Sequence, residues 1–393
     1  MKAGRIKATV VACHFAGAFG PMGMPPFLAL ILVGLAPGAS ERLIGWLYIV
    51  PTACLALSAP FWGRMADRWG RKPLLLRAQV GLAVSFLIAG FAGSLPLFIV
   101  GLCLQGLLGG TFSASNAYLS EVLPRKALSQ SLDLTQASAR LALIVAPVAV
   151  GFLIDRHMSP QNVYLIIALL PMLAVLFLLP LPAKGQPEDH SPVVPTPDHV
   201  EPAPLSRGAI MACQTGFTLA MISTFPFLVP YSMAAFHIGA GAAGWIFGLP
   251  HIVYLFACLP FGRYLRANNP ALWFAIGSAI VGSMLLAQAL TGSLILFVAA
   301  RLIMGFGMTL GYVALNALIA GTIEQASAGR TFGWFDSGAK LATIAASIGG
   351  GMIVASAGMT LLFSLCGLCG LLTAIMTLPL RRSLPTAPSA ALE

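Results

Sequence analysis

Long apolar runs separated by short polar segments dominate the chain. A helix needs about 20 apolar residues to cross a bilayer, and twelve runs near that length follow one another along the sequence. The pattern therefore predicts an all-α integral membrane protein with twelve transmembrane helices. The predicted spans cover residues 9–36, 43–63, 73–93, 95–120, 128–154, 162–182, 208–236, 241–262, 271–290, 293–320, 330–355 and 359–380.

One polar, Pro-rich segment interrupts this pattern at the middle of the chain. Residues 183–207 contain no apolar run and carry four of the chain's 12 acidic residues. Such a composition is typical of a flexible or semi-extended tether. The predicted organisation is an N-terminal six-helix bundle (1–182), a cytoplasmic linker (183–207) and a C-terminal six-helix bundle with a short tail (208–393).

The two halves repeat one another. Gly45-Trp46 and Gly63 recur as Gly244-Trp245 and Gly262, each 199 residues later. The stretch Ala139-Arg140-Leu141-Ala142 recurs 200 residues later as Ala339-Lys340-Leu341-Ala342. Several matches at one offset indicate an internal duplication. Transporter folds are commonly built from such repeats, with the substrate site between them near the middle of the membrane.

Charge placement gives an orientation. Only 9% of residues are charged, yet the net charge is +10. With the N-terminus inside, 16 of the 22 Lys and Arg residues fall in cytoplasmic segments, and only Arg42 and Arg156 fall on the opposite side. This is the positive-inside pattern, so the positive charge needs no nucleic-acid partner. We expect a multi-pass protein of the inner membrane with both termini cytoplasmic.

Chemistry beyond transport has little support in the sequence. All seven cysteines lie inside apolar runs, including the pair Cys366-x-x-Cys369, and are interpreted as small hydrophobic residues. No metal-ligand cluster, cofactor motif or Ser-His-Asp set is apparent. We expect neither a cofactor nor an enzyme, and the first apolar run is interpreted as an uncleaved span.

The loop between the second and third predicted spans carries a specific pattern. Its ten residues, Gly63-Arg64-Met65-Ala66-Asp67-Arg68-Trp69-Gly70-Arg71-Lys72, contain five charges. The pattern G-x-x-x-D-R-x-G-R-[KR] resembles the loop of the major facilitator superfamily, and the resemblance covers the whole chain. It implies the major facilitator fold, two pseudo-symmetric bundles and a cytoplasmic gate. The gating residues it implies are Gly63, Asp67, Arg68, Gly70, Arg71 and Lys72.

Some positions depart from the drug-exporting members of that superfamily. The second half reads Gly262-Arg263-Tyr264-Leu265-Arg266, so its loop has Arg in place of the acid. The fifth span keeps only Pro147 and Gly151 of the exporters' Gly-Pro-x-x-Gly-Gly pattern. Leu102 stands where those exporters tend to have Arg. The gate is therefore expected to be asymmetric, and the exporters' usual proton relay does not transfer to this chain.

Ionisable residues inside membrane spans are costly and usually face a cavity or a partner. Arg140 and Lys340 occupy equivalent places in the two repeats, so they are expected to face each other across the pseudo-twofold axis. A helix-packing role is the alternative, and Asp336 with Lys340 could form a closed i, i+4 pair. The predicted substrate-binding residues are Arg140, Lys340, Arg301, Gln105, Asn116 and Asn316, although interhelical hydrogen bonding would equally account for the three amides.

The predicted proton-coupling residues are Asp336, Asp133, Glu121 and His14. Asp336 comes first, because its protonation would release Lys340. For His14, a hydrogen-bonded role in helix packing is an equal alternative.

The basic excess near the midplane favours an anionic substrate. The predicted function is secondary active transport, namely proton-coupled efflux of a small anionic metabolite such as a siderophore-like carboxylate, by alternating access. The alternatives are a broad-specificity multidrug exporter and an importer or facilitator of organic anions. The expected partners are the lipid bilayer, the substrate and protons, and the protein is expected to act as a monomer.

Overall fold

The computed structural model describes residues 3–123, 125–183, 206–267, 269–322 and 328–377, and their regular structure is helical. A short 3-10 turn at Pro25–Phe27 joins the first two helices. The helices are α1 (Ala3–Gly23), α2 (Leu28–Leu35), α3 (Arg42–Trp69), α4 (Arg71–Gly90), α5 (Leu95–Leu108), α6 (Thr111–Val122), α7 (Arg125–Asp155), α8 (Val163–Leu178), α9 (Arg207–Ile222), α10 (Leu228–Phe236), α11 (Ala240–Ala267), α12 (Pro270–Leu290), α13 (Leu294–Ala320) and α14 (Ala328–Thr377).

Each predicted span falls on a helix or on a pair of helices. Among the described residues, nine helical stretches are long and apolar enough to cross a membrane. The sixth predicted span forms a shorter helix, α8, and the seventh is divided between α9 and α10. The last two spans run together as α14, with only Gly358 (φ 78°) departing from helical geometry between them.

A glycine break divides the fourth span into α5 and α6, and two side chains cover the exposed end of α5. Gly110 has a left-handed φ of 84°. The Trp62 indole donates to the Leu107 carbonyl at 2.7 Å, and Arg77 donates to the Leu108 carbonyl at 2.5 Å. The Arg77 guanidinium also lies 3.6 Å from the centre of the Trp62 ring. Carbonyls that a helix end leaves unpaired are thus satisfied within the bundle.

The helices pack as two groups that meet along two seams. Helices α1 and α3–α8 pack among themselves, as do α9 and α11–α14. Between the groups, α7 packs against α11 and α3 packs against α14. The two seams are equivalent under the internal repeat. The second span (α3) corresponds to the eighth (α11), and the fifth (α7) corresponds to the eleventh (the first part of α14).

Glycines let the backbones touch at both seams. A Cβ atom added at Gly45 would lie 2.1 Å from the Ser347 carbonyl oxygen. A Cβ added at Gly244 would lie 2.5 Å from the Pro147 carbonyl oxygen. These are the same contact in the two repeats, and small residues of this kind allow close approach of membrane helices.

Candidate transport site

Arg140 extends from α7 to the other half of the molecule. Its guanidinium carbon lies 4.5 Å from the ring centre of Tyr254 on α11 and 5.3 Å from that of Tyr312 on α13. The two tyrosine rings are 6.2 Å apart and almost perpendicular, at 88°. Arg140 therefore occupies an aromatic corner, defined here as the space between Tyr254 and Tyr312, and this contact joins the two halves.

Within the described part of the chain, the two tyrosine rings are the attractive contacts of the Arg140 guanidinium. It forms no ion pair with any residue in the described part of the chain. A cation over an aromatic face gains about 0.5–2 kcal/mol, whereas a charge at bilayer depth costs at least about 2.5 kcal/mol. The charge of Arg140 is therefore only partly compensated and can accept an anion.

Lys340 has a different environment, although it is the repeat counterpart of Arg140. Its ammonium donates to the Asp336 carboxylate at 2.6 Å, one helical turn away on α14. The two side chains are 49% and 64% exposed, so the pair faces open space rather than a packed helix. The positive charge of Lys340 is thus compensated within its own helix.

Arg301 is enclosed by protein. It is 3% exposed and donates to the carbonyl oxygens of Ile246 at 3.2 Å and Phe247 at 2.9 Å, both on α11. These contacts give it a helix-packing role in this conformation. A role in substrate binding remains a prediction that the contacts do not favour.

The three candidate amides lie in different surroundings. Asn116 on α6 accepts from the Thr135 hydroxyl on α7 at 2.8 Å, so it links two helices of the first half. Gln105 is half-buried on α5, and Asn316 is exposed on α13. Of the three, Asn116 has a structural partner, and the binding roles of all three stay predictions.

The candidate proton carriers are also dispersed. His14 is 1% exposed, shares a 2.6 Å hydrogen bond with Ser138 on α7 and lies edge-on to Phe112. One carboxylate oxygen of Glu121 is buried and has no hydrogen-bond partner among the described residues. Asp133 is exposed on α7, and Asp336 pairs with Lys340. Their roles in coupling stay predictions.

The basic end of the predicted gating loop holds the first half together. Gly70, with φ 89°, separates α3 from α4. Arg71 donates to the Ala117 carbonyl at 3.1 Å and to the Ser120 hydroxyl at 2.6 Å. Lys72 donates to the carbonyls of Leu179 at 2.7 Å and Leu181 at 2.5 Å. The loop is thereby fastened to the adjoining ends of the fourth and sixth spans.

Arg64, near the start of that loop, donates to the Pro60 carbonyl of its own helix at 3.2 Å. Gly63, Asp67 and Arg68 are exposed, and Gly63 has open space beside it. Asp67 forms no hydrogen bond or ion pair with the described residues. Exposed positions occur around most of the circumference of α3 between Leu55 and Trp69. The halves are therefore separated at this end, called the Asp67 end below.

The opposite end, called the Asp155 end below, is closed. Asp155 ends α7, and its two carboxylate oxygens accept from the backbone amides of Ala240 at 2.7 Å and Gly241 at 2.8 Å. The backbone contacts at Gly45 and Gly244 lie near the same end. The structure is thus a V-shaped pair of bundles, joined at the Asp155 end and open at the Asp67 end.

Comparison with known families decides the class of protein. The Major Facilitator Superfamily profile matches two overlapping regions, residues 10–289 and 210–393. The chain belongs to the Major Facilitator Superfamily. Members of this superfamily are transporters rather than enzymes, and nine helical stretches among the described residues are long and apolar enough to cross a membrane.

Individual relatives agree with this assignment. Multidrug resistance protein MdtG of Klebsiella pneumoniae (strain 342) is 31% identical over 177 residues, which are 44% of this chain and 42% of that protein. The chain thus spans less than half the length of this relative, but the similarity agrees with a drug-exporter-like branch of the superfamily.

Solved structures share the fold over nearly the whole chain. A D-xylose–proton symporter is similar at a TM-score of 0.74 with 15% identity, covering 98% of each chain. The human organic anion transporter MFSD10 is similar at a TM-score of 0.63 with 17% identity, covering 96% of this chain and all of that one. Together with the helical architecture, they confirm the predicted major facilitator fold.

Sequence reasoning missed the aromatic partners of Arg140 in this superfamily member. Tyr254 and Tyr312 lie in apolar helices, where an aromatic residue resembles any other core residue. The repeat gives no help, because their counterparts 199 residues earlier are Leu55 and Ser113. The linker from 184 to 205 lies outside the described residues, so the predicted domain boundaries stay a prediction.

Proposed function

We propose that this protein exports a small organic anion across the inner membrane in exchange for protons, by alternating access. The observation that supports it is Arg140, a cation between the two halves that is held by tyrosine rings and not by a carboxylate. The Asp67 end is proposed to face the cytoplasm, in keeping with the excess of Lys and Arg on that side. In this orientation the structure is inward-open.

Electrostatics support an anionic substrate. Of the basic residues considered, Arg301 is engaged by backbone carbonyls and Lys340 by Asp336, which leaves Arg140 with spare hydrogen-bonding capacity. A guanidinium binds a carboxylate with two parallel hydrogen bonds. The fold is shared with a human organic anion transporter. A siderophore-like carboxylate satisfies these requirements.

Proton coupling is proposed to act through the Asp336–Lys340 pair. Protonation of Asp336 removes the charge that holds Lys340 and leaves the ammonium free to attract the anion. Proton binding to Asp336 and anion binding to Lys340 therefore both favour the open pair. For exchange, Asp336 loses its proton to the cytoplasm once the anion is bound, and the restored carboxylate displaces the anion from Lys340 on the outside. The chain has no phosphate-binding G-x-x-x-x-G-K-[ST] loop, so an ion gradient is the simplest energy source.

Multidrug export is the second candidate. The similarity to a protein named multidrug resistance protein favours it, and tyrosine rings can stack on many aromatic compounds. A pocket for cationic drugs, however, would need an uncompensated carboxylate rather than an arginine.

Everted membrane vesicles with an imposed pH gradient test the proposal. A tricarboxylate siderophore and a lipophilic cationic dye are supplied in parallel to vesicles with the wild type, with no transporter, and with Arg5→Ala as a surface-charge control. We expect the siderophore to accumulate with wild type and with Arg5→Ala, and a protonophore to abolish the accumulation. Uptake of the dye alone would favour multidrug export, and anion uptake unaffected by the protonophore would indicate a facilitator.

A further inference from the structure

Helix α11 begins without a capping side chain of its own. The residue before it is Gly239, which has no side chain to accept from the first amides. The first turn of any helix leaves such amides unpaired and carries a partial positive charge. In this protein Asp155, from the other half, supplies the missing acceptor with both of its oxygens.

The glycines around this contact fit the carboxylate. A Cβ added at Gly239 would lie 2.9 Å from each Asp155 oxygen, and one added at Gly241 would lie 3.0 Å from Oδ2. These distances are shorter than ordinary van der Waals contacts, so a side chain at either position would displace the carboxylate. The start of α11 is therefore shaped to receive Asp155.

Among the described residues, the second seam shows no such contact. The repeat places Ala355 at the position of Asp155, and Glu41 and Arg42 at the positions of Ala240 and Gly241. Glu41, which precedes α3, makes no side-chain hydrogen bond to that helix. The Asp155 cap is thus an addition to one of two otherwise equivalent seams.

The sequence around Asp155 also repeats the pattern of the gating loop. Gly151-Phe152-Leu153-Ile154-Asp155-Arg156 has the form G-x-x-x-D-R, as has Gly63 to Arg68 at the opposite end of the bundle. In this conformation Asp155 is bonded across the seam, whereas Asp67 has no hydrogen bond or ion pair with the described residues. Asp155 is therefore bonded to the other half in a conformation in which its own end of the molecule is closed.

We propose that Asp155 is a positioning residue of the transport cycle, which holds the Asp155 end closed by capping α11 from the other half. The cap breaks each time this end opens. The contact is exposed to water at the helix ends, so its contribution to the closed state is moderate. Removing the cap should change the equilibrium between the closed and open forms of this end by about threefold to tenfold.

Distance measurements between the halves test this. Gly93 and Gly292 are repeat-equivalent positions at the Asp155 end, one in each half, and both have open space around them. Spin labels on Gly93→Cys and Gly292→Cys, with the seven native cysteines replaced, report opening of this end by electron double resonance. We expect Asp155→Ala to raise the ratio of long to short distances about fivefold, within the range of a lost cap.

Matched variants separate the cap from general destabilisation. Glu41→Ala removes an acid from the same end without removing a cap, and should leave the distances unchanged. Asp155→Asn retains one acceptor and should give an intermediate ratio. The proposal fails if Asp155→Ala matches wild type, if Glu41→Ala has an equal effect, or if only the melting temperature falls.

A second measurement needs no labels. Hydrogen exchange of the amides of Ala240 and Gly241 in the chain with its native cysteines should be about fivefold faster in Asp155→Ala, again in the range of a lost cap. Unchanged exchange at these two amides would overturn the proposal independently of any cysteine replacement.

Discussion

Arg140 and Lys340 occupy equivalent positions in the two repeats but are stabilised in different ways. Lys340 has a carboxylate one turn away, and Arg140 has two tyrosine rings from the opposite half. The residue equivalent to Asp336 in the first half is Gln136. An anion therefore competes with weak ring contacts at Arg140 but with a formal negative charge at Lys340. The comparison shows how duplicated halves can divide substrate binding and coupling between them.

The largest expected effect comes from removing the two cations in turn. Arg140→Ala should lower anion transport about 100-fold, the loss expected for one or two charge-assisted hydrogen bonds. Lys340→Ala should lower it less than about tenfold, because this cation is already paired. Initial rates in vesicles at matched expression measure both, and equal losses would remove the distinction between the two cations.

An aspartate at position 136 should give Arg140 the same kind of carboxylate partner that Asp336 gives Lys340. Gln136 is exposed on α7 four residues before Arg140, as Asp336 is before Lys340. Gln136→Asp should raise the apparent KM for the anion about tenfold, since the new carboxylate competes for the guanidinium in a low-dielectric cavity. Gln136→Asn is the control for shape without charge. An unchanged KM in the aspartate variant would mean that Arg140 does not bind the anion.

Removing the acid from the second half should alter coupling. Asp336→Asn leaves Lys340 without its partner, so anion binding should become about fivefold tighter and less dependent on pH. Binding measured at several pH values checks this. If Asp336→Asn keeps the wild-type pH dependence, Asp336 is not the coupling group.

The smallest expected effect concerns the aromatic corner. Tyr312→Leu removes one ring face that competes with the anion for Arg140, so it should raise the apparent anion affinity about threefold, as expected for a single cation–π contact. Tyr312→Phe keeps the ring and should stay within a factor of about two of wild type. The same pair of substitutions at Tyr254 provides a repeat of the test. A change as large in the Phe variants would assign the effect to the hydroxyl group.

The sequence predicted the fold well because the membrane imposes it. Apolar runs near the bilayer thickness have few alternatives to helices, and the matching offsets revealed the two halves. The predicted gap between the last two spans, residues 356–358, contains Gly358, where α14 departs from helical geometry without an intervening loop. Prolines account for the short α8, which ends just before Leu179-Pro180-Leu181-Pro182.

The site was predicted only in part, for a different reason. Arg140, Lys340 and Asp336 stand out because charges are rare in membrane helices. Their surroundings depend on how α7 meets α11 and how α3 meets α14, and hydrophobic periodicity within one helix carries no information on that pairing. Arg301 illustrates the limit, because a charge within a span can equally satisfy backbone carbonyls of a neighbouring helix.

The glycine contacts at the two seams also have a consequence for the energetics of the cell. Backbone atoms of facing helices touch at Gly45 and Gly244, which leaves no room between them for a file of water molecules. A proton gradient across these bundles would therefore meet a dry barrier at the two contacts while the Asp67 end is open. Replacing the small residues by larger ones would separate the helices and turn a tight barrier into a leak.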